Sequence, residues 1–245
     1  MKQEDILPSA ETYEKEMQYF PWGKTIERVI KFVTEKAPQD GRIIDLMCGP
    51  GFLLKRIAEK RSDLDLIGVD INQSFIDYAR NEPLPAGYFV TGDVLSLPAN
   101  VIMNYDVVIC TGGLHHLSYE RQPVLLDVIA GLMKEDGVVI IAEPCLPGFW
   151  DEESRKLKAV EFGSSYIREV IAKKAPEDVL MAAIDIMRND IMGLEFKRSI
   201  RGLARMLDQR FHIICCEQVW PSRDGYECGD CYFILEKKLE REERK

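Results

Sequence analysis

Arg42-Ile43-Ile44-Asp45-Leu46-Met47-Cys48-Gly49-Pro50-Gly51 carries a short apolar run into an acid and then into two glycines. Residues 52–61, directly behind it, have the composition of a helix. Strand, tight glycine turn and helix, in that order, open the nucleotide site of a doubly wound α/β sheet. Glycine lets the backbone approach a ligand closely, because a Cβ would occupy that space. The unpaired N–H groups at the start of the helix suit a polar or anionic ligand group. A dinucleotide fingerprint, G-x-G-x-x-G/A, requires a third small residue for close helix–strand packing. Here Phe52, Leu53 and Leu54 follow the second glycine, so that pattern is incomplete.

Two more acids lie at the ends of apolar runs. Residues 64–70 read as a second strand, and Asp70 stands 21 residues past Gly49. An acid at about that distance meets ribose hydroxyls in doubly wound folds, since one helix and one strand return the chain to the same sheet edge. Ile71 could lie against a base, and Asn72 or Ser74 can cap a helix over residues 75–80. Residues 88–94 form a third strand with its turn, holding Gly92, Asp93 and Val94. Asp is also common in turns for its own sake. Ligands bind outside the carboxyl ends of parallel strands, so Asp45, Asp70 and Asp93 are expected around one crevice. Residues 105–110 are a fourth strand, nearly all apolar, as one covered on both faces should be. Then come Thr111-Gly112-Gly113-Leu114-His115-His116-Leu117, a helix over 122–133, a turn over 134–137 and a fifth strand over 137–142.

The pattern Asp45-x-Met47-x-Gly49-x-Gly51, the later acids and the Leu114-His115-His116-Leu117 turn resemble the class I S-adenosylmethionine-dependent methyltransferases, whose first motif is D-x-G-x-G-x-G. The resemblance covers residues 40–145, with one departure: Met47 stands where the family has its first glycine. It implies a seven-stranded Rossmann-like sheet, S-adenosylmethionine as cofactor and S-adenosylhomocysteine as product. Asp45 would sit near the methionine amino group, with Cys48, Gly49 and Gly51 under the ligand. Asp70 and Ile71 would meet ribose and adenine, and Gly92, Asp93 and Val94 would hold the base. Cys110, Thr111, Gly112 and His115 would complete the cofactor contacts.

Helices are expected over 11–20 and 24–36, split by Pro21-Trp22-Gly23. Ile26, Val29, Ile30 and Val33 share one face of the second, which therefore packs on the sheet. More than sixty residues separate Glu143 from the strand over 211–219, far more than a crossover needs. Helices are expected there over 151–162, 165–174, 176–189 and 196–209. The domain reading is an N-terminal helical lid or arm over 1–38, a cofactor-binding core over 39–145 and 210–240, and a helical substrate-binding insertion over 146–209. A homodimer surface is the competing reading of that insertion. Residues 211–219 and 231–237 are strands six and seven, the last antiparallel, and a charged tail occupies 236–245.

A methyl on a sulfonium is already activated, so placement of the acceptor is the protein's main task. A general base helps where the acceptor must lose a proton. His116 is the first candidate base and His115 a contact beside the cofactor, on the ground that adjacent side chains do not easily both aim inward. Glu143, at the end of strand five, is a secondary candidate. Substrate contacts are expected from Tyr13, Tyr19, Trp22, His116 and Arg201, the last on a basic helical stripe with Lys197 and Arg205. Such a stripe is more often a solvated face.

Net charge is −9, against a nucleic-acid partner, and 46% hydrophobic with 30% charged residues is an ordinary soluble balance. No apolar run reaches membrane-spanning length and the first thirty residues lack the order of a secretory signal. Seven cysteines, an odd count scattered through strands, suggest reduced thiols in a cytoplasmic protein. Cys228-Gly229-Asp230-Cys231 lacks the second pair a zinc site needs, and no metal is expected. The function expected is methylation of a small-molecule metabolite at oxygen, nitrogen or carbon. The alternative is a protein of the same fold that binds S-adenosylmethionine without methylating, as a cyclase, decarboxylase or regulator. An NAD-dependent oxidoreductase is a third reading, weakened by the missing third glycine.

Overall fold

The computed structural model describes residues 9–221 and 228–238. The expectations for residues 1–8, for the middle of the loop before the last strand (222–227) and for the tail from residue 239 lie outside the described residues. The strands are β1 (Arg42–Leu46), β2 (Asp65–Asp70), β3 (Gly87–Thr91), β4 (Tyr105–Thr111), β5 (Met133–Cys145), β6 (Phe211–Trp220) and β7 (Gly229–Lys237). They form one sheet in the order β3-β2-β1-β4-β5-β7-β6, with β7 antiparallel to both its neighbours and the first five strands parallel. Strand order reverses between β1 and β4, the switch point at which such sheets bind ligands.

Both faces of the parallel strands are apolar because helices cover both. On one face α2 (Trp22–Lys36), α3 (Phe52–Ala58) and α4 (Gln73–Arg80) bury Ile26, Val29, Ile30, Leu54, Ile57 and Ile76 against Ile43, Leu66 and Ile109. On the other, α5 (Gln122–Leu132) and α8 (Ile200–Leu207) pack Leu125, Ile129 and Leu203 on Ile44, Val108 and Ile141. A third apolar cluster joins Phe20, at the end of α1 (Ala10–Tyr19), to α6 (Glu152–Ala172) and α7 (Glu177–Met192) through Phe162, Tyr166 and Val179. No helix among the described residues is long and apolar enough to cross a membrane.

Four expected elements are corrected. The two helices expected over 151–162 and 165–174 are one, α6, running straight through Gly163. A Cβ on Gly163 would run into the Met187 side chain of α7, so this glycine permits a close helix crossing instead of ending a helix. The turn expected over 134–137 lies inside β5, where the register against β4 slips between Tyr105 and Val107. The last insertion helix begins at Ile200, not at 196, because Ser199 caps it by accepting the Gly202 N–H at 3.1 Å. Residues 195–198 therefore lie outside the helix, and the Leu146 N–H donates to the Arg198 carbonyl at 2.9 Å.

Met47 explains its own departure from the glycine pattern. Its φ is 66°, in the left-handed region that glycine favours, and its N–H and that of Cys48 both donate to the Val69 carbonyl. The turn thus keeps its shape at a backbone cost of about 1–2 kcal/mol. The side chain is used: a Cβ on Gly113, after β4, would lie 2.7 Å from Met47 Sδ. Gly113→Ala is therefore expected to destabilise by about 1–3 kcal/mol through overpacking. In a Met47→Gly background the same change should cost much less, which urea unfolding of the four proteins in the cycle will show.

Candidate functional site

The glycine turn is braced from below by Asp70, at the tip of β2. One carboxylate oxygen accepts the Gly49 N–H at 2.9 Å and the other the Asn72 N–H at 2.8 Å. Asn72 in turn caps α4 by accepting from the N–H groups of Ser74 and Phe75. Asp45 lies on β1, 1% exposed, with one carboxylate oxygen that has no partner among the described residues. Burial first, and the Asp70 charge second, push its carboxyl well above the usual range. The structure therefore brings Asp45 and Asp70 together. Asp93 sits past β3 in its own turn, accepting from the Leu95 N–H at 2.9 Å, with Arg121 3.8 Å away.

Tyr13 of α1 covers the turn. Its ring comes within 3.9 Å of where a Cβ on Gly49 would be and packs on Trp22, Phe52 and Phe75 at centroid distances of 5.6, 6.1 and 5.9 Å. Burial, then the charges of Glu16, Asp70, Asp45 and Glu143, keep its hydroxyl protonated. Beside it opens a chamber of about 440 Å³. Thr111, Gly112, Glu143 and Asp230 line it from the sheet edge, Glu16, Trp22 and Thr25 from α1 and α2, and Phe162, Tyr166 and Asn189 from α6 and α7.

Both histidines line this chamber. They occupy a single 3₁₀ turn, Leu114–His116, and their rings pack at 4.2 Å. Glu143 fixes that turn. It accepts the N–H groups of Gly113 and Leu114 at 2.9 and 2.8 Å, and its second oxygen bonds His115 Nδ1 at 2.6 Å. His115 Nε2 faces Glu195 at 3.6 Å. Glu195 pairs with Lys197, which also holds Asp190 at 2.8 Å, and all three are buried. Burial alone would raise Glu195, yet Lys197 and the histidines outweigh it and bring its carboxyl to about 2. Burial, then the neighbouring His115, lowers His116 to about 3. His115, His116 and Glu195 also offer ligand atoms within 4.8 Å of one another, but the Lys197 ammonium already neutralises the carboxylate there.

Thr111, Gly112, His115, His116, Glu143, Tyr13 and Trp22 are thus gathered at the chamber. Ile71 is 61% exposed beside Asp70, open to a flat ligand group. Gly92 packs under Pro98. Cys48, Val94 and Cys110 point into the core clusters, so any ligand contact there falls to their backbone. Tyr19 packs on the third apolar cluster and is not a chamber residue. Arg201 is exposed on α8 outside the chamber, and Lys197 leaves the expected basic stripe because its segment is not helical. Cys228 and Cys231 are buried, and no disulfide joins any of the cysteines.

Glu16, Asp230, Tyr166 and Glu195 are not among the residues expected at the site, and Lys197 is expected there only through the helical stripe it shares with Arg201. Glu16 carried a usable signal, being three residues past Tyr13 and four before Phe20 on the apolar face of α1. Glu195 carried none, and the stripe signal of Lys197 pointed to a helix, whereas the non-helical path of residues 195–198 brings both inward.

The family described as "Methyltransferase domain" matches residues 38–185. The chain belongs to that methyltransferase-domain family. This methyltransferase domain is 26% identical over 145 residues to a carboxy-S-adenosyl-L-methionine synthase of Campylobacter lari, covering 59% of this chain and 61% of that protein. It is 23% identical over 137 residues to a putative methyltransferase, YqeM, of Bacillus subtilis, covering 54% and 52%. The matches thus span only about half to three-fifths of these relatives. Among solved structures, the magnesium protoporphyrin IX methyltransferase of Synechocystis PCC 6803 with bound S-adenosylhomocysteine shares the fold. Its TM-score is 0.59 at 16% identity, over 89% of this chain and 84% of that one.

The buried ion network gives a direct prediction. Lys197→Met leaves Asp190 and Glu195 without their cation and should cost about 3–5 kcal/mol at neutral pH. The native pairing holds Glu195 below its unfolded value, so its contribution is present above about pH 4.3 and lost as pH falls toward 2. The gap between variant and parent in urea unfolding should accordingly narrow in acid.

Proposed function

We propose that this protein transfers the methyl group of S-adenosylmethionine to a small-molecule metabolite. The observation that carries the reading is the pair of carboxylates on the neighbouring strands β1 and β2, beside the switch point. Asp45 has a buried oxygen lacking a donor, which the methionine ammonium would supply. Asp70 has each oxygen braced by one backbone N–H and retains lone pairs for two ribose hydroxyls. Gly49 and Gly51 would run under the ligand, with Ile71 and Asp93 toward the adenine. Family membership and the solved methyltransferase of the same fold support this assignment.

When bound, S-adenosylmethionine supplies a methyl already activated by its sulfonium. The chain's own work is placement and exclusion of water. Tyr13, Trp22 and the rest of the α1–α2 roof close over the glycine turn, and α6 and α7 wall the chamber in which the acceptor would lie. Glu143 holds the histidine turn rigid, with His115 oriented through Nδ1. We assign His116 as the group that takes a proton from an acceptor needing to lose one. It is neutral at physiological pH and a weak base, so its contribution depends on position.

A second reading comes from the Campylobacter lari relative, named as a carboxy-S-adenosyl-L-methionine synthase. That chemistry would place a carboxylate on the transferred carbon. Glu16, Glu143 and Asp230 line the chamber, and acids there would oppose an added carboxylate, which favours methyl transfer over it.

Asp70→Ala should weaken S-adenosylmethionine binding at least ~100-fold in calorimetry, through loss of two charge-assisted hydrogen bonds, with the circular dichroism spectrum unchanged. Unchanged affinity would count decisively against the cofactor assignment. His116→Ala should lower turnover about 100-fold or more while leaving cofactor affinity alone. Turnover would be followed by mass spectrometry of a metabolite mixture given labelled methyl donor, where a carboxylated donor in place of methylated products would favour the second reading.

A further inference from the structure

The chamber's walls are lopsided in charge. Among the described residues, six carboxylate side chains line it: Glu16, Glu143, Asp178, Asp185, Glu195 and Asp230. Of the two cationic residues there, Lys197 is shared by Asp190 and Glu195, and Arg188 is 70% exposed beside Asp185. Glu143 is satisfied by its three donors. Glu16 and Asp230 are not.

Glu16 enters from the roof on α1. It is 3% exposed, and its Oε1 has no hydrogen-bond partner among the described residues. Asp230 enters from the sheet edge at the start of β7. It is 1% exposed, with the Tyr166 hydroxyl donating to Oδ1 and nothing among the described residues donating to Oδ2. Thr25 Oγ1, beside them in the lining, is likewise buried without a partner among the described residues. Carboxyl oxygens left this way cost free energy unless the group is protonated or a ligand brings donors and positive charge. Burial, with some help from Asp178, raises Glu16 to about 8. Burial raises Asp230 to about 7, against the Tyr166 hydrogen bond. Trp22, Phe162 and Tyr166 add aromatic surface to the same chamber, which suits a cation and an apolar body together.

Resting on the methyl-transfer reading, we propose that the acceptor is a small organic cation, an ammonium or amidinium compound with an apolar portion, received by the carboxylates of Glu16 and Asp230; the accepting nitrogen gives one proton to His116, and its lone pair forms the bond to the methyl carbon as the bond to sulfur breaks and S-adenosylhomocysteine leaves. Glu16 shares α1 with Tyr13, three residues away on the same face, so a bound cation also holds the roof down over the glycine turn. An anionic acceptor would meet two carboxylates with no free counter-charge among the described residues; a neutral one would bring no positive charge to offset them.

The test uses the full chain loaded with S-adenosylhomocysteine and three matched probes: 2-phenylethylammonium, 2-phenylethanol and 3-phenylpropanoate, each titrated by calorimetry. The ammonium should bind at least about tenfold more tightly than either of the others, as expected of a charged hydrogen bond replacing a neutral one. Glu16→Gln and Asp230→Asn, which keep shape and remove charge, should each erase most of that preference. Equal affinities, a preference for the anion, or no measurable binding of the ammonium overturn the proposal, and the parent protein alone decides this should a variant not fold. Binding of S-adenosylhomocysteine in the first step separates the two readings. Its absence removes the methyl-transfer reading itself, whereas its presence without a cation preference removes only the acceptor class.

Discussion

A carboxylate buried in a protein interior must be surrounded by donors, and Glu143 organises its neighbourhood by meeting that demand. Standing near the end of β5 and 4% exposed, it gathers two backbone N–H groups and one imidazole from the segment after β4. Those bonds tie the carboxyl edges of two neighbouring strands together and impose the 3₁₀ turn on Leu114–His116. Without them the Gly112-Gly113 pair would leave that segment many conformations. The chamber's histidine wall is therefore set by a strand residue thirty positions away.

The same constraint propagates outward. His115, fixed at Nδ1, presents Nε2 to Glu195, and the Phe196 N–H donates to the His115 carbonyl at 2.8 Å. Glu195 and Asp190 share Lys197, while Arg155 of α6 donates to the Asp190 carbonyl at 2.6 Å. A chain of polar contacts thus runs from the sheet through the histidine turn into the helices inserted between β5 and β6. Replacing such networks by apolar residues is often neutral for stability, whereas breaking one member is costly. Beside this network, Asp230 on the neighbouring strand and Glu16 on the roof remain partly unsatisfied among the described residues. The first group is tied together by Lys197 and Glu143; the second is poised for something from outside.

The parallel sheet was legible because its physics is local and periodic. Strands covered on both faces read as apolar runs, and β1, β2 and β4 lie within a residue or so of where those runs place them. The acids at the strand tips were legible for the same reason, since a helix and a strand must return the chain to one edge. Gly163 and Lys197 misled because their local signals are ambiguous. A glycine beside serines breaks a helix or admits a crossing helix, and only Met187 of α7 decides between them. A lysine spaced four residues from an arginine belongs to a helical stripe only if the helix begins before it, and Ser199 starts it after.

What the amino-acid order determined alone was the frame: sheet class, glycine turn, the place of Asp70 and the apolar faces of α2 and β4, all consequences of spacing within some thirty residues. The tertiary structure decided the interior of the chamber. Which carboxylates are paired and which are bare depends on contacts between α1, α7, β5 and β7, segments far apart in the chain. Burial and the supply of donors, which set the charge of each such group, are properties of the packed molecule that no local pattern encodes.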